Sequence, residues 1–106
     1  MLTVIETPEF VASARSVWSE EERLEFVDWI SVNEAAGDVI PGAGGLRKVR
    51  WARAGMGKRG GARVIYYTRL ASGEVVLLIA YAKARFDNLR PEFLLKLKER
   101  FDGKED

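Results

Sequence analysis

The sequence predicts an α+β domain in which a mostly antiparallel sheet packs against helices, in the order β-α-α-β-β-β-α. Three observations predict this class. Apolar residues recur at helical spacing before Ser31, they alternate with a period of two from Leu46 onward, and helical spacing returns after Pro91. A chain of 106 residues is long enough for one such domain, which we expect to span residues 1–106.

Local signals predict the first strand and the first helix. The segment from Leu2 to Glu6 is short and rich in β-branched residues, which is typical of a strand. Thr7 then offers an N-cap, and Pro8 stands at the first helical position, where its missing N–H has no helical partner to lose. The apolar residues at helical spacing that follow are Phe10, Val11, Ala14, Val17 and Trp18.

A capping box opens the second helix, because Ser19 is followed three residues later by Glu22. This helix has an apolar stripe made of Leu24, Val27 and Ile30. Since the break between the two helices is short, we expect them to be antiparallel neighbours.

Three strands are expected after the turn-rich segment from Pro41 to Gly45. In the first, from Leu46 to Ala54, alternation places Val49 and Trp51 on one face and two basic residues, Lys48 and Arg50, on the other. The second strand runs from Ala62 to Leu70 and is β-branched and aromatic. Its residues that share one face are Arg63, Ile65, Tyr67 and Arg69.

The third of these strands, from Glu74 to Ala84, is a nearly continuous apolar run, as expected for the centre of a sheet. A hairpin turn from Ala71 to Gly73 precedes it. The final helix is predicted to begin near Pro91 and to end at Gly103. Its apolar positions, at i, i+3 and i+7, are Leu94, Leu97 and Phe101.

Composition excludes several function classes. The chain has no Cys and no His, which removes the usual zinc ligands, the Ser-His and Cys-His nucleophile pairs and imidazole acid-base chemistry. We therefore expect no metal and no cofactor, and any catalysis has to use Lys, Arg, Tyr or carboxylates. No apolar run is long enough for a membrane span, and the N-terminus has no signal-peptide pattern, so we expect a cytoplasmic protein that does not bind membranes.

The charges are segregated along the chain, although the formal net charge is only +1. Up to Asp38 the charged residues are mostly acidic, whereas from Val39 to Gly73 every charged residue is basic. Lys48 and Arg50 project from one sheet face, and Arg63 on the next strand is expected beside them. A solvated sheet face would usually mix in acids, so a phosphate-bearing partner explains this stretch better.

The glycine-rich segment from Gly55 to Gly60, "GMGKRG", matches the dinucleotide-binding pattern G-x-G-x-x-G. That pattern has to open a helix within a βαβ unit, whereas a β-branched strand follows here. We interpret the segment as a hairpin loop that carries Lys58 and Arg59.

The tyrosines are candidates for stacking on unpaired bases. At least one of the neighbours Tyr66 and Tyr67 has to point inward. Tyr67 is a candidate for base stacking because it shares a face with Arg63, and Tyr81 is one because it shares a face with Lys83. The tryptophans are better explained by packing; they are Trp18, Trp29 and Trp51.

The stretch "GDVIPGAGGLRKVRWARAGMGKRGGARVIYY", from Gly37 to Tyr67, resembles the RelE/HigB superfamily of bacterial toxins, especially its HigB-like branch. The same run of turn, basic strand, GKRGG loop and "RVIYY"-type strand occurs there, and "LLIAYAKA" and the element order extend the resemblance along most of the chain. The resemblance implies a RelE-like fold and the toxin of a type II toxin-antitoxin pair. Such a toxin cuts messenger RNA in the ribosomal A site without a metal.

The resemblance also implies roles for individual residues. Lys48 and Arg50 match the paired basic residues of the family's second strand, Arg63 matches the arginine on the scissile phosphate, and Lys83 falls where the last strand brings another basic residue to the site. We expect these four to be catalytic. The residues expected to bind RNA are Arg47, Arg53, Lys58, Arg59, Tyr67 and Tyr81.

The implied chemistry does not need histidine. The RNA 2′-OH attacks the neighbouring phosphate, and clustered cations stabilise the negative charge that develops. Neighbouring cations also lower the pKa of a lysine, which would let Lys48 act as the base. The final helix, "RPEFLLKLKERF", lacks the catalytic tyrosine of some RelE members, which leaves the general base open.

Two other functions remain open on the sequence. A ParE-like inhibitor would share the fold and bind a protein such as gyrase without catalysis, and a small RNA-binding module would have no toxicity. For the toxin that cuts messenger RNA, the implied partners are a cognate antitoxin of the helix-turn-helix type, the ribosome and messenger RNA.

Overall fold

Thr7 connects the first strand to the first helix and anchors both on the sheet. Its Oγ1 accepts a hydrogen bond from the backbone N–H of Phe10 (3.1 Å), which caps the helix. The same hydroxyl donates to the carbonyl oxygen of Leu77 (2.7 Å) in a central strand. Since Thr7 is completely buried, the N-cap predicted from the sequence is also a tertiary contact.

The computed structural model describes residues 1–51, 61–82 and 89–103. Within them five strands form one sheet in the order β1-β5-β4-β3-β2, in which β1 is parallel to β5 and the other pairs are antiparallel. The predicted α+β class is confirmed. The elements are β1 (Thr3–Glu6), α1 (Pro8–Ala14), α2 (Glu20–Ile30), β2 (Asp38–Val39), β3 (Arg47–Trp51), β4 (Ala62–Arg69), β5 (Glu74–Ala82) and α3 (Pro91–Gly103).

The sheet separates two hydrophobic cores. On one face α1 and α2 pack against the strands, and the large buried side chains include Phe10, Phe26, Ile30, Val64, Tyr66 and Leu77. On the other face α3 packs over Ile65, Tyr67, Val76, Leu78 and Tyr81 with Leu94 and Leu97. The tryptophans belong to the first core, where Trp18 stacks on Phe26 at 5.3 Å between ring centroids and meets Trp51 edge-on at 5.7 Å. Their predicted packing role is confirmed.

The structure departs from the sequence prediction in two helices. α1 ends at Ala14, so Trp18 packs from the turn that follows the helix. In α2 the buried residues are Phe26 and Ile30, and Leu24 is 47% exposed. Leu24 lies two residues from Phe26, which is about 200° around the helix, so the stripe predicted through Leu24 was wrong.

Two strand features were not predicted. The two-residue strand β2 pairs with β3 at the sheet edge. In β5, the pairing with β4 shifts so that Ile65 faces Ile79 whereas Tyr66 faces Leu77. Leu78 is therefore an extra residue in a β-bulge, and it packs in the α3 core together with its neighbour Ile79.

Tyr66 ties the segment before β2 to the core. Its ring is fully buried, its hydroxyl donates to the carbonyl oxygen of Glu34 (2.8 Å), and it accepts from the backbone N–H of Gly37 (2.9 Å). Burial raises the pKa of this hydroxyl. Tyr66, a side chain from the middle of the sheet, thus helps to hold the loop between α2 and β2.

Asp102 fastens the last turn of α3 to the sheet. Its carboxylate accepts a hydrogen bond from the Tyr67 hydroxyl (2.6 Å) and forms an ion pair with Arg69, which also contacts Glu74 at 3.4 Å. Partial burial pushes the pKa of Asp102 upward, but the hydrogen bonds from Tyr67 and Arg69 and the charges of Arg69 and Lys98 outweigh it, and the net pKa is lowered. Burial and the hydrogen bond to Asp102 raise the pKa of Tyr67.

We expect Tyr66→Phe to lower the free energy of unfolding by about 1–3 kcal/mol, because it leaves a buried N–H and a carbonyl without their partner. Urea unfolding of both proteins measures the change. Leu70→Ala is the control: Leu70 is 67% exposed, so its removal should alter stability by no more than about 0.5 kcal/mol. Equal unfolding midpoints for Tyr66→Phe and wild type would contradict the role given to this hydroxyl.

We expect Asp102→Asn to flatten the loss of stability in acid. Because the folded-state pKa of Asp102 is lowered, its contribution is present above the ordinary value of 3.8 and is lost as the pH falls through the lower folded value. Urea midpoints between pH 7 and pH 2 should therefore fall less steeply below pH 3.8 in the variant. Asp28→Asn, at an exposed position of α2, should follow the wild-type curve.

Candidate functional site

Alternation along β3 sorts its residues onto two faces. Val49 is 5% exposed and packs with Val64 in the core under α1 and α2, and Trp51 packs against the same core. Lys48 and Arg50 therefore project from the opposite face, the one that α3 partly covers. The register predicted for this strand is confirmed.

Cross-strand pairing brings the basic residues together. Arg50 on β3 lies directly opposite Arg63 on β4, and Arg63 lies opposite Tyr81 on β5. Lys48 is opposite Ile65, two residues away along the strands and on the same face. Directly opposite Cβ atoms are about 5 Å apart, so the three cations form one patch, which we call the basic face: Lys48, Arg50 and Arg63.

Arg63 is the most constrained member of the basic face. It is partly buried, and its Nη1 has no hydrogen-bond partner among the residues that the structure describes. A buried donor without an acceptor is costly, and a guanidinium is well suited to a phosphate, which accepts several N–H groups at once. Arg50 on the neighbouring strand places a second guanidinium beside Arg63. This arrangement is suited to binding a phosphate.

The first turn of α3 borders the basic face. A cavity of about 30 Å³ lies there, lined by Ile40, Lys48, Ile65, Tyr81, Leu89 and Leu94. The partly buried stem of Lys48 thus passes over apolar neighbours, which is common for a lysine whose ammonium reaches solvent. Arg50, by contrast, is exposed.

Both tyrosines expected to stack on RNA bases are buried, so that expectation is corrected. Tyr67 is 4% exposed and lies under α3, with its hydroxyl bonded to Asp102. Tyr81 is 3% exposed and belongs to the same core. Base stacking requires an exposed ring face. The strand pattern placed both rings on the correct side of the sheet, but α3 covers that side.

Arg47, expected to bind RNA, does not belong to the basic face. It pairs with Tyr66 on the side of α1 and α2, and its guanidinium donates to the carbonyl oxygen of Gly37 (2.7 Å). Alternation already separates Arg47 from Lys48 in the sequence, which is the signal that this expectation overlooked. Arg47 instead fixes the chain that leads into β2.

Several expected site residues lie outside the described part of the chain. They are Lys83, for which a catalytic role is expected, and Arg53, Lys58 and Arg59, for which RNA binding is expected. Their roles stay predictions. One described residue near the site was not predicted: Asp38 on β2 lies directly opposite Lys48.

A larger cavity, of about 230 Å³, lies at the junction of α1 and α2 on the other side of the sheet. Its lining includes Trp18, Arg15 and Arg23, and Arg23 already forms an ion pair with Glu6. Among the residues that the structure describes, no acidic cluster could hold a metal ion, and no helix is long and apolar enough to cross a membrane.

No protein-family model matches the sequence. Among solved structures, the chain is similar to a mutant of the E. coli toxin RelE in its free state, with a TM-score of 0.55 and 10% sequence identity. The match covers 77% of this chain and 83% of that one. At this level of identity the likeness concerns the fold, and the five-stranded sheet with helices on both faces is a RelE-like fold.

Proposed function

We propose that this protein is the toxin of a type II toxin-antitoxin pair and cuts messenger RNA in the ribosomal A site. The observation that carries the proposal is the pair of Arg50 and Arg63 on adjacent strands, with the Nη1 of Arg63 buried and lacking an acceptor within the described structure. A phosphodiester would supply the acceptor that this Nη1 lacks.

The chemistry is the attack of a ribose 2′-OH on the adjacent phosphate. Arg63 would hold the non-bridging oxygens, and Arg50 would stabilise the charge that develops as the bond to the 5′ oxygen breaks. The role of Arg63 needs a fixed cation in a partly desolvated position, and its partial burial between β3 and β5 meets that need.

The RelE-like fold and the motif from Gly37 to Tyr67 both support this proposal. The solved structure with the similar fold is that of a toxin, and the motif resembles the HigB-like branch of the same superfamily. We therefore infer a cognate antitoxin, the ribosome and messenger RNA as partners. A gyrase inhibitor of the ParE type and a non-toxic RNA-binding module are the alternatives that the experiments below distinguish.

We expect Arg63→Ala to abolish growth arrest and to slow transcript cleavage by more than about a hundredfold, or about 3 kcal/mol of transition-state stabilisation. Toxicity and cleavage of a translated transcript are measured for both proteins. Arg15→Ala, which removes an exposed arginine on the far side of the sheet, is the matched control and should keep full activity. Thermal melting should show no loss of stability, because Arg63→Ala removes a buried donor that lacks a partner.

The outcomes separate the three functions. Full toxicity of a folded Arg63→Ala protein would contradict the site. Growth arrest by the wild type with intact transcripts and stalled gyrase would favour the ParE-like alternative, and RNA binding without toxicity or cleavage would favour the RNA-binding module.

We expect ribosome binding to weaken steeply with salt. If about four or five phosphates are neutralised, a plot of log K against log salt concentration should have a slope of roughly −3 to −3.5. Arg50→Ala should make the slope shallower by about 0.7. A slope near zero would show that the basic face binds something other than nucleic acid.

A further inference from the structure

The carboxylate of Asp38 borders the basic face. Asp38 lies directly opposite Lys48 in the antiparallel pairing of β2 with β3, so the two side chains project from the same face of the sheet. Asp38 is exposed. It is also the last acidic residue before the stretch in which every charged residue is basic.

Hydrogen bonds to β3 and β4 hold the chain next to Asp38, although β2 has only two residues. The N–H of the preceding residue, Gly37, donates to the buried Tyr66 hydroxyl (2.9 Å), and its carbonyl oxygen accepts from Arg47 (2.7 Å). A Cβ at Gly37 would lie 2.8 Å from the Tyr66 hydroxyl and 3.0 Å from the carbonyl oxygen of Lys48. Asp38 is therefore placed by contacts with both β3 and β4.

The side chains of β2 itself add little to the core. Both side chains of β2, Asp38 and Val39, are exposed, and Val39 is 56% exposed. Ordering a backbone costs conformational entropy, and an exposed strand regains little of this from apolar burial. The hydrogen bonds at Gly37 satisfy the buried Tyr66 hydroxyl, and they also hold the next residue, Asp38, in place beside Lys48.

We propose that Asp38 is the general base that takes the proton from the attacking 2′-OH, and that Lys48 is the general acid for the leaving 5′ oxygen. This inference rests on the proposed function. It reverses the role expected for Lys48 from the sequence, where the lysine was the candidate base.

The step balances without any further reactant. Asp38 accepts the 2′-OH proton, the 2′ oxygen forms a bond to phosphorus, and the bond from phosphorus to the 5′ oxygen breaks. The Lys48 ammonium gives a proton to that oxygen. The products are a 2′,3′-cyclic phosphate and a free 5′-hydroxyl, and proton exchange with water restores both side chains.

The division of roles fits the two side-chain types and their spacing. A carboxylate has oxygens that accept a proton, and an ammonium group has N–H groups that donate one. Opposite Cα atoms in antiparallel strands are about 4.5–5.5 Å apart. Asp38 and Lys48 form none of the ion pairs seen among the described residues, so neither head group is bound to the other.

The test is single-turnover cleavage of a defined messenger RNA on programmed ribosomes, with wild type, Asp38→Asn and Asp38→Glu. We expect Asp38→Asn to lower the maximal rate by about a hundredfold or more. The concentration of programmed ribosomes that gives half the maximal rate should be unchanged or lower. Asp38→Glu, which keeps the carboxylate, should recover part of the rate. The rise of rate with pH that reports the base should be present in wild type and absent in Asp38→Asn.

A merely electrostatic role predicts a different effect on the maximal rate. Removing an acid beside a basic face would tighten RNA binding and leave the maximal rate unchanged or higher. Glu34→Gln is the matched control, since it removes one negative charge four positions before Asp38 and should retain wild-type cleavage. Thermal melting and ribosome binding of each variant show that the proteins are folded and competent to bind.

Four outcomes would overturn the inference. A maximal rate for Asp38→Asn within about threefold of wild type would remove Asp38 from the proton transfer, as would an equal loss in Glu34→Gln. An unchanged pH profile in Asp38→Asn would do the same. If wild type and Arg63→Ala both fail to cleave, the proposed function falls, and the role of Asp38 falls with it.

Discussion

The register of β3 against β4 is the constraint on which the rest of this structure depends. Val49 opposite Val64 points into the aromatic core under α1 and α2, and the same register places Arg50 opposite Arg63 on the other face. Because side chains alternate along a strand, a slip of one residue would bury the cations and expose the valines. The burial of Val49 thus maintains the basic face from the opposite side of the sheet.

The sheet face that carries Lys48, Arg50 and Arg63 is partly covered by α3. α3 covers the part over Tyr67 and Val76 and is fastened there by Asp102. Its first turn borders the cavity beside Lys48, and Arg50 is exposed. The bulge at Leu78 lets β5 supply two successive residues to the α3 core and restores the pairing in time for Tyr81 to stand opposite Arg63. Packing under α3 therefore supports the strand residues next to the basic face.

Tyr66 links the first core to the edge of the site. Its ring is buried with Phe26 and Ile30, and its hydroxyl holds the chain at Gly37, one residue before Asp38. Arg47, on the same face as Tyr66, adds the second contact to Gly37. Two residues from the far side of the sheet thus determine where the edge strand meets Lys48. Core stability and the geometry of the proposed proton transfer share these contacts.

The sequence by itself determined the features that depend on neighbours along the chain. Thr7 with Pro8 and Ser19 with Glu22 specify two helix starts through local hydrogen bonds, and alternation separates Lys48 and Arg50 from Val49 and Trp51. Only the tertiary structure decided the burial of Tyr67 and Tyr81, because a helix distant in sequence covers them. It also decided the place of Asp38, since a strand of two residues has no periodicity to detect and exists only through its pairing with β3 and its anchor at Tyr66.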